Sequence, residues 1–73
     1  MSLFPHITAD PKICGGEPCI QGTRIAVHVI LDYMAGGDTI DDILKAFPQL
    51  NRELVQDAIR YASYRVQEEL TPR

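Results

Sequence analysis

Residues 39–64 read TIDDILKAFPQLNRELVQDAIRYASY, and two helical patterns around a proline-marked break in this stretch decide the fold. Ile40, Ile43, Leu44 and Phe47 recur at i, i+3, i+4 and i+7, which sets four apolar side chains on one helical face. Val55, Ala58, Ile59, Ala62 and Val66 repeat the pattern in a second helix. Between them Pro48 has no N–H to donate and drives Phe47 out of the α region, so the helices cross rather than continue. Helix, short turn and helix in this order outline a helix-turn-helix.

Both starts are written in the sequence. Thr39 can cap the first helix of the pair while Asp42 reaches back to it, and Asp41 lies near the positive helix end. Asn51 can cap the second, with Leu50 before it placed to staple against Val55, and that helix is expected to run to about Glu69, before Thr71-Pro72. Upstream, Val27, Ile30, Leu31 and Met34 predict another helix on the same spacing, stopped by Gly36-Gly37. Residues 27–70 therefore form a three-helix unit.

Residues 1–26 differ in kind. Pro5, Pro11 and Pro18 lie here with Gly15, Gly16 and Gly22, and they separate short extended candidates at Ile7-Thr8, Ile13-Cys14, Cys19-Ile20 and Thr23-Arg24-Ile25. A sheet this small is marginal alone, so the segment is expected to act as a β/turn arm that packs on the helices or on a second subunit. The fold class is mainly α, and residues 1–73 make one domain. Near this size one core supplies only about 3–5 kcal/mol, so a homodimer is expected.

Hydrophobic residues make up 45% of the chain and charged residues 23%, as in a folded globular domain, and no apolar run approaches a membrane span. The opening Met1-Ser2-Leu3-Phe4-Pro5-His6 does not read as a signal peptide, which points to the cytoplasm and to no membrane partner. The net charge of −3 opposes non-specific nucleic-acid binding, which depends on Lys and Arg displacing counterions. Within residues 51–66, however, Arg52, Arg60 and Arg65 outweigh Glu53 and Asp57.

Arg52 and Gln56 on the last helix are placed to read base edges, and Arg60 and Tyr64 to touch phosphate. A solvated face held by pairs such as Asp57 with Tyr61 and Tyr61 with Arg65 accounts for the same residues equally well. Cys14 and Cys19, with His6 and His28, invite a zinc reading, but two small, partly buried side chains flanking a turn explain the thiols more simply, whatever their redox state. Gly15-Gly16 and Gly22-Thr23-Arg24 offer an anion nest beside a guanidinium, yet they lack the helix start of a phosphate loop. A structural turn with Arg24 tied to a carboxylate or carbonyl is the simpler expectation. No nucleophile sits beside a general base, so neither enzyme activity, cofactor nor metal is expected.

The run ITADPKICGGEPCIQGTRI at residues 7–25, with Gly37 before the second helix and Phe47-Pro48 and Leu50 in the turn, resembles the signature of the bacterial domain-of-unknown-function family 433. The resemblance implies a homeodomain-like three-helix fold behind a short β arm. It further implies a VapB-type antitoxin, a transcriptional regulator that binds operator DNA and neutralises a PIN-like ribonuclease toxin in a type II toxin-antitoxin pair. Pro48 departs from the glycine that the standard helix-turn-helix turn prefers. In this setting Gly15, Gly16, Pro18, Gly22, Thr23 and Arg24 form the arm expected to serve dimer or partner contact. The reading from another class is a non-catalytic protein-interaction adaptor that binds no DNA.

Overall fold

The arm forms a hairpin of two short strands. β1 (Ile7–Thr8) pairs antiparallel with β2 (Cys19–Ile20), Ile7 opposite Ile20 and Thr8 opposite Cys19. The computed structural model describes residues 4–70, with side-chain surroundings for residues 4–68. Met1, Ser2 and Leu3 and the stop expected at Thr71-Pro72 lie outside the described residues.

Two of the four expected extended stretches do not become strands. Ile13-Cys14 runs into a single 3-10 turn, Cys14–Gly16, whose three residues all take positive φ (54°, 64° and 88°). Thr23 and Arg24 remain in a turn because the Thr23 hydroxyl donates to the Ile20 carbonyl at 2.7 Å and accepts the Ile25 N–H at 3.0 Å. At the end of this stretch the Ile25 carbonyl accepts the Ile20 N–H at 3.0 Å, and Ala26, just beyond it, forms an isolated bridge to Cys19.

The helices are α1 (Val27–Ala35), α2 (Ile40–Ala46) and α3 (Arg52–Leu70). α1 starts without a side-chain cap; instead the Pro18 carbonyl in the arm accepts the Val27 N–H at 2.9 Å, satisfying one donor that a helix start leaves open. It ends as expected at the paired glycines. Asp38 N–H donates to Tyr33 O and Gly37 N–H to Met34 O, each at 3.0 Å, and Gly37 carries the left-handed conformation (φ 101°) that this closure requires. α2 has the expected capping box: Thr39 Oγ1 accepts from Asp42 N–H at 3.2 Å and Asp42 Oδ2 accepts from Thr39 N–H at 2.9 Å. Asn51 Oδ1 accepts the Leu54 N–H at 2.9 Å and so caps α3.

All these segments converge on one core, in which Ile20, Ile30, Ile43 and Val55 are wholly excluded from solvent. Three residues expected inside lie outside. Leu31 and Met34 are each 37% exposed because Tyr33, stacked on Phe47 with ring centroids 5.4 Å apart, carries the packed face of α1 onward from Ile30. Val66 is 53% exposed although it shares the phase of Val55 and Ala62. With 19 residues α3 is about 28 Å long, whereas the 7 residues of α2 span about 10 Å, so the far end of α3 outruns its cover.

Replacing Thr39 by Ala is expected to cost about 0.5–2 kcal/mol in urea denaturation, the usual worth of an N-cap. The Thr39 backbone N–H, then its hydroxyl, hold the Asp42 carboxyl below its ordinary value of 3.8. A depressed carboxylate stabilises the fold above that value and loses its contribution as pH falls through the lowered one. Asp42→Asn is therefore expected to flatten the decline in stability below pH 3.8. An unchanged acid limb would show that the box does not hold the ionised form.

Candidate functional site

On α3, Arg52, Gln56 and Arg60 follow one another every fourth residue and are all exposed. The turn brings the start of α3 beside α2, where the Arg52 guanidinium donates to Asp41. Arg60 donates to Asp57 one turn before it. An exposed pair such as Arg52 with Asp41 is worth about 0–1 kcal/mol, and the exposed Arg60 guanidinium can likewise turn to a phosphate, but Asp41 and Asp57 remain beside them.

Tyr64 is placed differently. It is half-buried, its hydroxyl donates to Glu68 Oε2 at 2.9 Å, and that carboxylate raises the phenol above its ordinary pKa. The Phe4 ring lies with its centroid 5.5 Å from both Tyr61 and Tyr64, edge-on to the first. His6 Nε2 sits 3.6 Å from Asp57 Oδ2, and the Asp57 side chain is only 14% exposed. The arm thus lies along one flank of the expected recognition face and leaves Arg52, Gln56 and Arg60 open. The surface pairs expected on this helix are replaced by Asp57 with Arg60 and by Glu68 with both Tyr64 and Arg65, the last at 3.7 Å.

In the arm, Gly16 N–H donates to Ile13 O and Glu17 N–H to Cys14 O, each at 3.1 Å, so these two amides of the Gly15-Gly16 turn close the turn itself. Pro18 is half-buried and holds the start of α1 through its carbonyl. Gly22, Thr23 and Arg24 share an open cleft of about 400 Å³ with Ile13. Arg24 is exposed, and contrary to expectation it is tied to no carboxylate or carbonyl among the described residues.

The two thiols and two histidines weighed as zinc ligands are not gathered. His6 faces Asp57, while His28 lies 3.4 Å from Glu17 in the arm and 3.3 Å from Asp32 in α1. Among the described residues no group of three or more His, Cys, Asp or Glu side chains is arranged to hold a metal ion. Cys14 is half-buried and Cys19 fully buried, both as free thiols. Burial, then a hydrogen bond to Cys14, pushes the Cys19 thiol up to about 11, so it stays protonated near neutrality.

Spacing on α3 located the exposed residues but missed their partners. Asp41, Phe4 and His6 come from other segments, and nothing local in the sequence joins them to α3. Among the described residues no helix is long and apolar enough to cross a membrane.

The family model described as Protein of unknown function (DUF433) matches residues 7–62, more than half of the chain, and the chain belongs to that family. It is 36% identical over 56 residues to the uncharacterized protein y4eO of Sinorhizobium fredii (strain NBRC 101917 / NGR234), an alignment spanning 77% of this chain and 25% of that protein. The crystal structure of a DUF433 member protein from Anabaena variabilis ATCC 29413, at 2.00 Å resolution, matches with a TM-score of 0.80 and 28% identity, covering 86% of this chain and 62% of that one. The chain thus spans a quarter of the first relative's length and under two thirds of the second's.

Iodoacetamide added to the native protein at about pH 8 is expected to label Cys14 first and Cys19 only as the fold opens. A raised thiol pKa adds stability that is complete below 9.0 and lost as pH rises through about 11. Cys19→Ala is accordingly expected to show a shallower alkaline loss of stability than the parent. Equal labelling rates for the two thiols would contradict the burial of Cys19.

Proposed function

We propose that this member of the DUF433 family is a non-catalytic cytoplasmic regulator of the antitoxin kind, working as a homodimer. α3 contacts operator DNA, and the arm holds a partner protein of the PIN-like ribonuclease class. The observation that carries this reading is the open row of Arg52, Gln56 and Arg60 on the helix that follows the turn, the position from which such a helix enters the major groove. Gln56 can bond an adenine edge or Arg52 a guanine edge, while Arg60 meets phosphate. Tyr64, committed to Glu68 and flanked by Phe4, lies at the rim of that row and is the weakest of the four.

The net charge and the two internal ion pairs require such binding to be modest, steeply salt-dependent and reinforced by a second subunit. The same pairs favour the second reading, an adaptor that keeps the helix-turn-helix as scaffold and binds only protein.

Fluorescence anisotropy with the DNA upstream of the protein's own gene, titrated from about 50 to 200 mM salt, tests the DNA half. A complex is expected whose affinity falls with salt; Arg60→Ala is expected to lower the salt slope by about 1, and adding Arg52→Ala to relax base preference. No complex at the lowest salt, with or without the neighbouring gene product, removes the DNA half. If the double variant then still co-purifies with that product, the adaptor reading stands in its place.

A further inference from the structure

The four arginines within the described residues divide into two kinds. Arg52, Arg60 and Arg65 each face a carboxylate of this chain, on Asp41, Asp57 and Glu68. Among the described residues Arg24 faces none, in a chain that carries 10 acidic residues against 7 basic ones. A guanidinium left unpaired amid an excess of carboxylates is available to one that arrives from outside.

Its surroundings are built rather than loose. The turn that carries Arg24 is pinned on both sides by the Thr23 hydroxyl, which bonds Ile20 O at 2.7 Å and Ile25 N at 3.0 Å. Thr23 N–H closes the same turn onto Ile20 O at 3.0 Å, and Ile20 and Ile25 are core residues. Gly22 adopts φ 81°, a conformation that L side chains rarely take, and a Cβ added there would meet nothing within 4 Å. Backbone conformation rather than crowding therefore calls for glycine, which leaves the cleft wall open beside Arg24. Ile13, half-buried and apolar, lines the same cleft of about 400 Å³.

The geometry points to a binding site for an acidic side chain of a protein partner. Arg24 receives its carboxylate through two parallel N–H donors, and Ile13 receives the apolar residue beside it. One guanidinium on a net-negative protein suits a single carboxylate better than a polyphosphate chain, which draws on several cations at once. This assignment rests on the reading of the arm as the partner-binding segment and adds the chemistry by which the partner is held.

The test titrates the ¹⁵N-labelled full chain with acetyl-Leu-Glu-Leu-amide and follows the amide resonances of Gly22, Thr23 and Arg24. Saturable shifts confined to this turn are expected, with at least tenfold weaker binding of the Gln-containing counterpart and the same loss in Arg24→Gln. Arg24 is exposed and makes no hydrogen bond or ion pair among the described residues, so the variant is expected to melt as the parent does. Linear shifts without saturation, equal binding of the Gln peptide, or tighter saturable binding of inorganic phosphate at the same residues would each overturn the assignment. Co-purification with the neighbouring gene product separates the two levels. A product retained by Arg24→Gln overturns this site alone, whereas a product never retained by the parent chain overturns the arm's partner role and leaves the peptide result to stand by itself.

Discussion

Ile20, Ile30, Ile43 and Val55 come one each from the arm, α1, α2 and α3, and all four are shut off completely from solvent. In a chain of 73 residues their mutual burial is the constraint on which the rest depends. Each is β-branched and stiff at χ1, so the meeting point fixes the angle of each segment as well as its distance. The arm is consequently no loose appendage. Ile20 anchors it in the core, and this seats the Thr23 turn and holds the Pro18 carbonyl against the first N–H of α1.

Local chemistry carried most of the fold into the sequence. The Thr39 box, the Asn51 cap, the Gly37 stop and the break at Pro48 each act over three or four residues, and each occurs where spacing puts it. The failures share a different cause. Periodicity gives the direction in which a side chain points around a helix, but not how far the neighbouring elements extend along it, and this is why Val66 is uncovered. On α1 the aromatic body of Tyr33 takes the packed position, stacked on Phe47, while Leu31 and Met34 stay exposed.

The candidate site was legible only in part for the same reason. Arg52, Gln56 and Arg60 are exposed where helix phase sets them, yet the pairing of Arg52 with Asp41, eleven residues earlier, depends on the angle between two helices. That angle belongs to the core, not to either local sequence. Likewise the flank formed by Phe4 and His6 depends on the hairpin returning the chain to α3. Arg24 shows the converse: that no carboxylate among the described residues meets it emerges only from how those residues pack, not from its local sequence. Membership of the DUF433 family settles the architecture to which these residues belong and leaves their chemistry to be decided by their neighbours.

The packing of Phe4 against Tyr61 and Tyr64 also bears on how the chain reaches its native state. Helix starts and stops can form from neighbouring residues within microseconds, but this aromatic cluster joins segments nearly sixty positions apart. During synthesis the arm leaves the ribosome well before α3 exists to receive it, and Ile20 stays without Val55 in the meantime. Folding is thereby tied to the emergence of the last helix. Until then an apolar hairpin with open edges is exposed to chaperones and to proteases.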